Sequence, residues 1–81
     1  MKTPYYKIKI YKNQFSISLN KKYAKYIYSF ATHLEFALQL YSADVSFVSR
    51  DTMTIRGTFN DVFTSVERAI IEQIQYYFSN K

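Results

Sequence analysis

Large apolar residues occupy every second position in two short runs near the start of the chain: Tyr6, Ile8 and Ile10, then Phe15, Ile17 and Leu19. A period of two is typical of β-strands with one buried face. Between the runs stand Lys12 and Asn13, and asparagine tolerates the positive φ that a tight turn needs. The pattern therefore predicts a β-hairpin.

After Asn20 the spacing of apolar residues changes from two to alternating fours and threes. The positions concerned are Tyr23, Ile27, Phe30, Leu34, Ala37 and Tyr41, with Phe36, Leu38 and Leu40 widening the set. Such spacing places the side chains on one face of a helix, and Asn20 is a favourable N-cap residue. A single helix is predicted from about Lys21 to about Leu40.

The same order of elements follows a second time. Val45 and Phe47 predict a third strand, the residues from Ser49 to Asp51 a turn, and Met53 and Ile55 a fourth strand that ends at Gly57. A final helix is predicted with Asn60 as its cap and Asp61 in its first turn. Its apolar stripe comprises Phe63, Val66, Ile70, Ile74 and Tyr77, and Ile71 and Phe78 widen it.

These elements predict an α+β fold in the order ββαββα, with pseudo-repeat halves at residues 5–41 and 44–78. At 81 residues the chain is predicted to form a single domain, residues 1–81. Neither ββα unit can bury its apolar face alone, because an isolated hairpin is marginally stable. We therefore predict a two-layer sandwich, in which both helices cover one face of a four-stranded antiparallel sheet.

Two sets of strand residues are then expected on opposite faces of the sheet. Facing the helices we expect Ile8, Ile10, Phe15, Ile17, Val45, Phe47, Met53 and Ile55. Facing outward we expect Lys7, Lys9, Tyr11, Ser16, Ser18, Ser46, Val48, Thr52, Thr54 and Arg56. The outward set is rich in hydroxyl groups and basic, with Asp44 as an acid at its edge.

Charge is distributed unevenly about a formal net value of +5. Residues 1–25 hold seven lysines and no acid, whereas the remainder holds four cations and six acids. Such asymmetry indicates a negatively charged partner, because clustered lysines neutralise phosphates. Aromatic rings among the lysines could also stack on bases. Nucleic acid is thus the predicted partner, and the candidate contact residues are Lys7, Lys9, Tyr11, Lys12, Lys21, Lys22, Lys25 and Arg56.

Three of these lysines, Lys21, Lys22 and Lys25, are predicted at the start of the first helix. Cations are unfavourable at that positive end, whereas a phosphate would be favourable there. A solvated side chain that aids solubility explains any single lysine slightly better than phosphate binding does, whereas the two explanations are about equal for the whole cluster.

The alternative function is a small protein-interaction or self-assembly module, for instance a viral or mobile-element factor that docks on a partner protein. The aromatic residues are too numerous for so small a core: Tyr5, Tyr6, Tyr11, Tyr26, Tyr28, Phe36, Tyr41, Tyr76 and Tyr77. Tyrosine is enriched at interfaces, and exposed sheet edges can pair with another chain. A homodimer is therefore expected, either through sheet edges or with Tyr76 and Phe78 buried between helices.

Enzymatic activity is not expected. The chain has one histidine, His33, on a helix flank, no cysteine, and Gly57 as its one glycine. These residues provide no catalytic constellation, no recognisable metal-ligand spacing and no glycine-rich phosphate loop. We therefore expect no metal and no cofactor. No long apolar run or signal-like segment occurs, so a cytoplasmic or intravirion location without a membrane partner is expected.

Overall fold

The computed structural model of the protein describes residues 6–60 and 62–79, and the predictions for Tyr5, Asp61 and the Phe63 side chain lie outside this part. The elements, in chain order, are β1 (Tyr6–Tyr11), β2 (Gln14–Leu19), a first 3₁₀ segment (Lys21–Tyr26), α1 (Ile27–Ala37), a second 3₁₀ segment (Leu38–Tyr41), β3 (Ala43–Ser49), β4 (Thr54–Phe59) and α2 (Phe63–Phe78). The order confirms the predicted α+β arrangement.

One antiparallel sheet contains all four strands, in the order β1-β2-β4-β3. The two hairpins meet along β2 and β4, where Ile17 lies opposite Ile55. Backbone hydrogen bonds extend this central pairing at both ends, from the Phe59 N–H to the Asn13 carbonyl (2.9 Å) and from the Leu19 N–H to the Met53 carbonyl (3.0 Å). As a result, β1 and β3 form the two edges.

A single apolar core lies between the sheet and the helices. The sheet contributes Phe15, Ile17, Leu19, Ile55 and Phe59, α1 contributes Ile27, Phe30 and Leu34, and α2 contributes Val66, Ile70 and Ile74. Helix α1 packs beside β3, whereas α2 reaches across to β1. Alternate strand residues such as Lys7, Lys9 and Arg56 stay exposed on the opposite side. The two-layer arrangement is thus confirmed.

The predicted orientation of Phe47 and Val48 is wrong, because β3 contains a β-bulge. Val45 pairs with Gly57, but the next pair is Phe47 with Arg56, so Ser46 is an extra residue. One extra residue shifts every following side chain to the other face. Phe47 therefore points outward and Val48 packs against the core.

Strand β4 is displaced towards the C-terminus relative to the prediction of residues 53–56. Met53 and Thr52 belong to the turn at residues 50–53, and Met53 has a φ of 53° while its side chain remains buried. Gly57 does not end the strand; it lies in the middle of it. A β-carbon at Gly57 would collide with the Asp44 carbonyl oxygen and the Phe15 ring, so close packing excludes a side chain there.

The first helix is not continuous from Lys21 to Leu40. Asn20 caps its start as predicted, accepting a hydrogen bond from the Lys22 N–H (3.0 Å), but the following residues form the first 3₁₀ segment. The α-helical part begins only at Ile27. Phe36 and Leu40 do not widen the buried stripe, since they are 69% and 88% exposed.

The start of α2 also differs from the prediction. Val62, and not Asn60, is the N-cap residue, and the Val62 side chain makes no capping hydrogen bond. The Asn60 N–H instead donates to the Ser42 carbonyl (3.2 Å), where Ser42 ends the second 3₁₀ segment with a φ of 54°. Phe78 is buried in the protein's own core, which confirms its predicted place in the apolar stripe and removes it from the predicted dimer interface.

Candidate nucleic-acid interface

Twelve residues form three rows across the outer face of the sheet, each row taking one residue from every strand. In the order β1, β2, β4, β3, the rows are Lys7, Ser18, Thr54 and Ser49; Lys9, Ser16, Arg56 and Phe47; and Tyr11, Gln14, Thr58 and Asp44. The strand register fixes these rows, because residues directly opposite each other share a face. We call these residues the outer face.

The middle row places two cations on either side of a small residue. Lys9 and Arg56 are the cross-strand neighbours of Ser16, so they are two strand spacings, about 10 Å, apart. The short Ser16 side chain leaves a gap between them. Beside this row, the Ser46 hydroxyl donates to the Arg56 carbonyl at 3.5 Å. The centre of the sheet thus presents separated positive charges and hydroxyl groups.

Two adjoining open depressions follow from this pattern of long and short side chains. The larger, of about 600 Å³, is bordered by Tyr11 and Phe47 on its two sides. The smaller, of about 440 Å³, is bordered by Lys7 and Thr54. Lys9, Ser16 and Arg56 line both depressions, which therefore form one continuous surface.

An exposed aromatic ring stands at each side of the larger depression. Tyr11 is 71% exposed, and the Lys12 ammonium lies 5.4 Å from the centre of its ring. Phe47 is 45% exposed, and the Arg56 guanidinium lies 5.3 Å from the centre of its ring. Each ring therefore has a cation beside it, which is the combination that contacts a base and its phosphate together.

Phe47 is the residue of this surface that sequence reasoning missed. Strict alternation from Val45 put it in the core, and a bulge has no residue signature of its own here. The adjacent apolar pair Phe47-Val48 was the available signal, because one member of such a pair must face outward in a regular strand. Which member does so depends on the register with β4.

The structure separates the predicted contact residues into two groups. Lys7, Lys9, Tyr11 and Arg56 lie together on the outer face, with Lys12 at the adjoining turn. Lys12, and not Asn13, takes the positive φ of that turn, at 56°. Lys21, Lys22 and Lys25 instead lie on the first 3₁₀ segment, beyond the other end of β2 and in the helical layer.

The surroundings of these three lysines differ from those predicted at a helix start. The neighbouring rings of Tyr23 and Tyr26 pack on Phe78, the last residue of α2, with centroid separations of 4.7 and 6.4 Å. The 3₁₀ segment therefore lies at the carboxyl end of α2, where the helix dipole favours cations. Attraction to this helix end is therefore a structural reason for lysines on the segment.

Acidic charge is confined to one corner of the outer face. Asp44 is the one acid in the three rows, and it lies on the edge strand β3 opposite Thr58. The cations Lys7, Lys9 and Arg56 belong to the other two rows. Charge on the face is thus positive overall, and most so away from Asp44.

His33 occupies a structural position between the helices. Its Nε2 atom is 2.6 Å from the Gln73 Oε1 atom, and its ring packs against Tyr77 with centroids 5.3 Å apart. This hydrogen bond joins α1 to α2. Among the residues that the structure describes, no three histidine, aspartate or glutamate side chains are grouped as metal ligands.

Comparison of the chain with protein-family models, curated proteins and solved structures found no match. Within residues 6–60 and 62–79, no helix is both long and apolar enough to cross a membrane. What the protein does must therefore be inferred from the geometry of the outer face.

Proposed function

We propose that the protein is a non-enzymatic nucleic-acid-binding protein that contacts phosphates through the outer face of its sheet. The middle row carries this proposal: Lys9 and Arg56 flank Ser16, and Phe47 completes the row. A basic surface that contains exposed aromatic rings matches the two chemical parts of a nucleic acid, its phosphates and its bases.

Sequence-tolerant binding is the form that this surface supports best. Lysine recognises phosphate as a point charge, and stacking on an aromatic ring is available to every base. The depressions are open to solvent, and serine and threonine residues are among those that line them. Such a surface offers few directed contacts to the edges of particular bases.

A salt titration tests the proposal. Binding of mixed-sequence DNA and RNA oligonucleotides, followed by fluorescence anisotropy, is expected at low salt. The logarithm of the association constant should fall linearly with the logarithm of salt concentration, with a slope of roughly −2 to −3 for three phosphate contacts. No measurable binding of any oligonucleotide at low salt would contradict the proposal.

Self-association is a second candidate function, favoured by apolar residues on the helical layer. Phe36 and Leu40 are highly exposed, and Tyr76 is 73% exposed. The occupant we propose for this surface is a second copy of the chain, which would leave both outer faces free to bind nucleic acid. Sedimentation equilibrium should then show a dimer that Leu40→Asp converts to a monomer; a concentration-independent monomer mass for the unmodified chain excludes it.

A further inference from the structure

We infer that the outer face takes single-stranded nucleic acid, with Tyr11 and Phe47 as stacking platforms for bases and with Lys9, next to Tyr11, and Arg56, next to Phe47, as phosphate contacts. This inference rests on the proposed function and narrows its ligand from nucleic acid in general to strands whose bases are unpaired. DNA and RNA strands share the required chemistry.

The β-bulge is the first observation that supports this inference. In an uninterrupted strand Phe47 would face the helices like Val45, but Ser46 is inserted and Phe47 turns to the outer face. Exposure of a phenylalanine ring to water is unfavourable for folding. Bulges commonly re-aim a side chain beside a functional site, and here the bulge directs an aromatic ring next to Arg56.

The second observation is the placement of the two rings. Tyr11 on β1 and Phe47 on β3 stand on opposite sides of the larger depression, three strand spacings apart across the sheet and one row apart along it, which is about 16 Å in all. Lys9 lies next to Tyr11 on the same face of β1, and Arg56 is the cross-strand neighbour of Phe47. A strand that crosses the sheet can therefore place bases on both rings while its backbone passes the two cations.

A duplex does not fit this arrangement. Its bases stack on one another inside the helix, so their flat faces are inaccessible to rings on an open sheet, and only phosphates and groove edges are presented. Unpaired strands expose the flat faces of their bases, which stack on aromatic side chains. The cations alone would serve either ligand equally; the outward rings favour the single strand.

Four probes of equal length, about 12 nucleotides, separate the contributions of bases and phosphates. They are a thymidine oligonucleotide, a uridine oligonucleotide, an abasic oligonucleotide with the same phosphate backbone, and a mixed-sequence DNA duplex. We expect the thymidine and uridine strands to bind at least about tenfold more tightly than the abasic strand and the duplex. Comparison of the affinities for the thymidine and uridine strands shows whether DNA or RNA is preferred.

Variants of the two rings provide the decisive comparison. Phe47→Ala and Tyr11→Ala should each weaken thymidine-oligonucleotide binding by roughly 5- to 100-fold and leave binding of the abasic strand nearly unchanged. Phe47→Tyr should retain the affinity. Phe36→Ala and Tyr76→Ala are matched controls, because they remove exposed rings of the same types from the helical layer, and both should bind like the unmodified protein.

The outcomes separate the inference from the proposed function. If the abasic strand and the duplex bind as tightly as the thymidine strand, and Phe47→Ala binds like Phe36→Ala, the inference is wrong while phosphate binding stands. If none of the four probes binds, both fail. Circular dichroism spectra of each variant establish that the fold is retained.

Discussion

The guanidinium group of Arg56 lies over the ring of Phe47, with its central carbon 5.3 Å from the ring centre. Arg56 on β4 and Phe47 on β3 are direct cross-strand partners. They are paired because Ser46 is an extra, bulged residue between Val45 and Phe47. A cation over an aromatic face is attracted by the ring's quadrupole. The contact holds Arg56 near the middle of the outer face, next to Ser16.

The Arg56–Phe47 pair should contribute modestly to stability. In a double-mutant cycle of Phe47→Ala and Arg56→Gln, measured by urea unfolding, we expect a coupling free energy of about 0.5–1 kcal/mol. Phe47→Ala alone should cost about 1 kcal/mol or less, because the ring is only half-buried. A loss large enough to unfold the protein would mean that Phe47 is a core residue after all.

Two charge-matched triple variants should identify the cations that bind phosphate. Substituting Lys7, Lys9 and Arg56 by glutamine removes three charges from the outer face, and the same substitutions at Lys21, Lys22 and Lys25 remove three charges from the first 3₁₀ segment. Net charge falls equally in both. We expect the first variant to reduce the magnitude of the salt slope by about 2–3 and the second to change it little, as measured by anisotropy titrations.

The reverse result would place the contact surface on the helical layer. If the magnitude of the salt slope fell by the same small amount in both variants, binding would depend on net charge alone. The second variant should also lose a few tenths of a kcal/mol of stability at low salt, because its lysines lie at the carboxyl end of α2.

Gly57→Ala should destabilise the protein strongly. The added methyl group would meet the Asp44 carbonyl oxygen and the Phe15 ring within the centre of the sheet, and neither can withdraw without breaking strand pairing or core packing. We expect a loss of about 2–3 kcal/mol in urea unfolding. The neighbouring Thr58→Ala, on the exposed face, is the control and should cost less than about 1 kcal/mol. Equal losses would mean that strand propensity, and not the collision, is responsible.

The two asparagines predicted as helix caps should respond differently to substitution. Asn20→Ala should cost about 1 kcal/mol, because its side chain accepts the hydrogen bond of the Lys22 N–H. Asn60→Ala should change stability by less than about 0.5 kcal/mol, because Val62 is the N-cap residue of α2. Thermal unfolding of the two variants measures the difference. A similar loss at Asn60 would show that its side chain does cap α2.

The local pattern of apolar and polar residues was sufficient to predict the order of the strands and helices. It also predicted, for most residues, which face of each element is buried. Ile8, Ile17 and Ile55 belong to the core side as the period of two predicted, and Ile27, Phe30 and Leu34 do so as the helical period predicted. The period of two also predicts one shared face for Lys7, Lys9, Tyr11 and Arg56, whatever the order of the strands in the sheet. Periodicity suffices here because burial acts on every second strand residue and on every third or fourth helix residue.

Local pattern failed where two segments distant in sequence must fit together. The bulge at Ser46 follows from the pairing of β3 with β4. The mid-strand position of Gly57 follows from its close contact with Phe15 on the neighbouring strand β2. The exposure of Phe36 and Leu40 depends on which face of the helical layer meets the sheet. None of these relationships is encoded in the spacing of neighbouring residues.

By itself, the sequence determined a basic, hydroxyl-rich sheet face opposite two amphipathic helices, because alternation separates polar from apolar side chains at short range. Only the tertiary structure decided that β2 and β4 pair at the centre, that Lys9, Ser16, Arg56 and Phe47 form one row, and that Lys21, Lys22 and Lys25 lie in the other layer. Those outcomes depend on strand register and close packing, which are set by contacts between residues far apart in the chain.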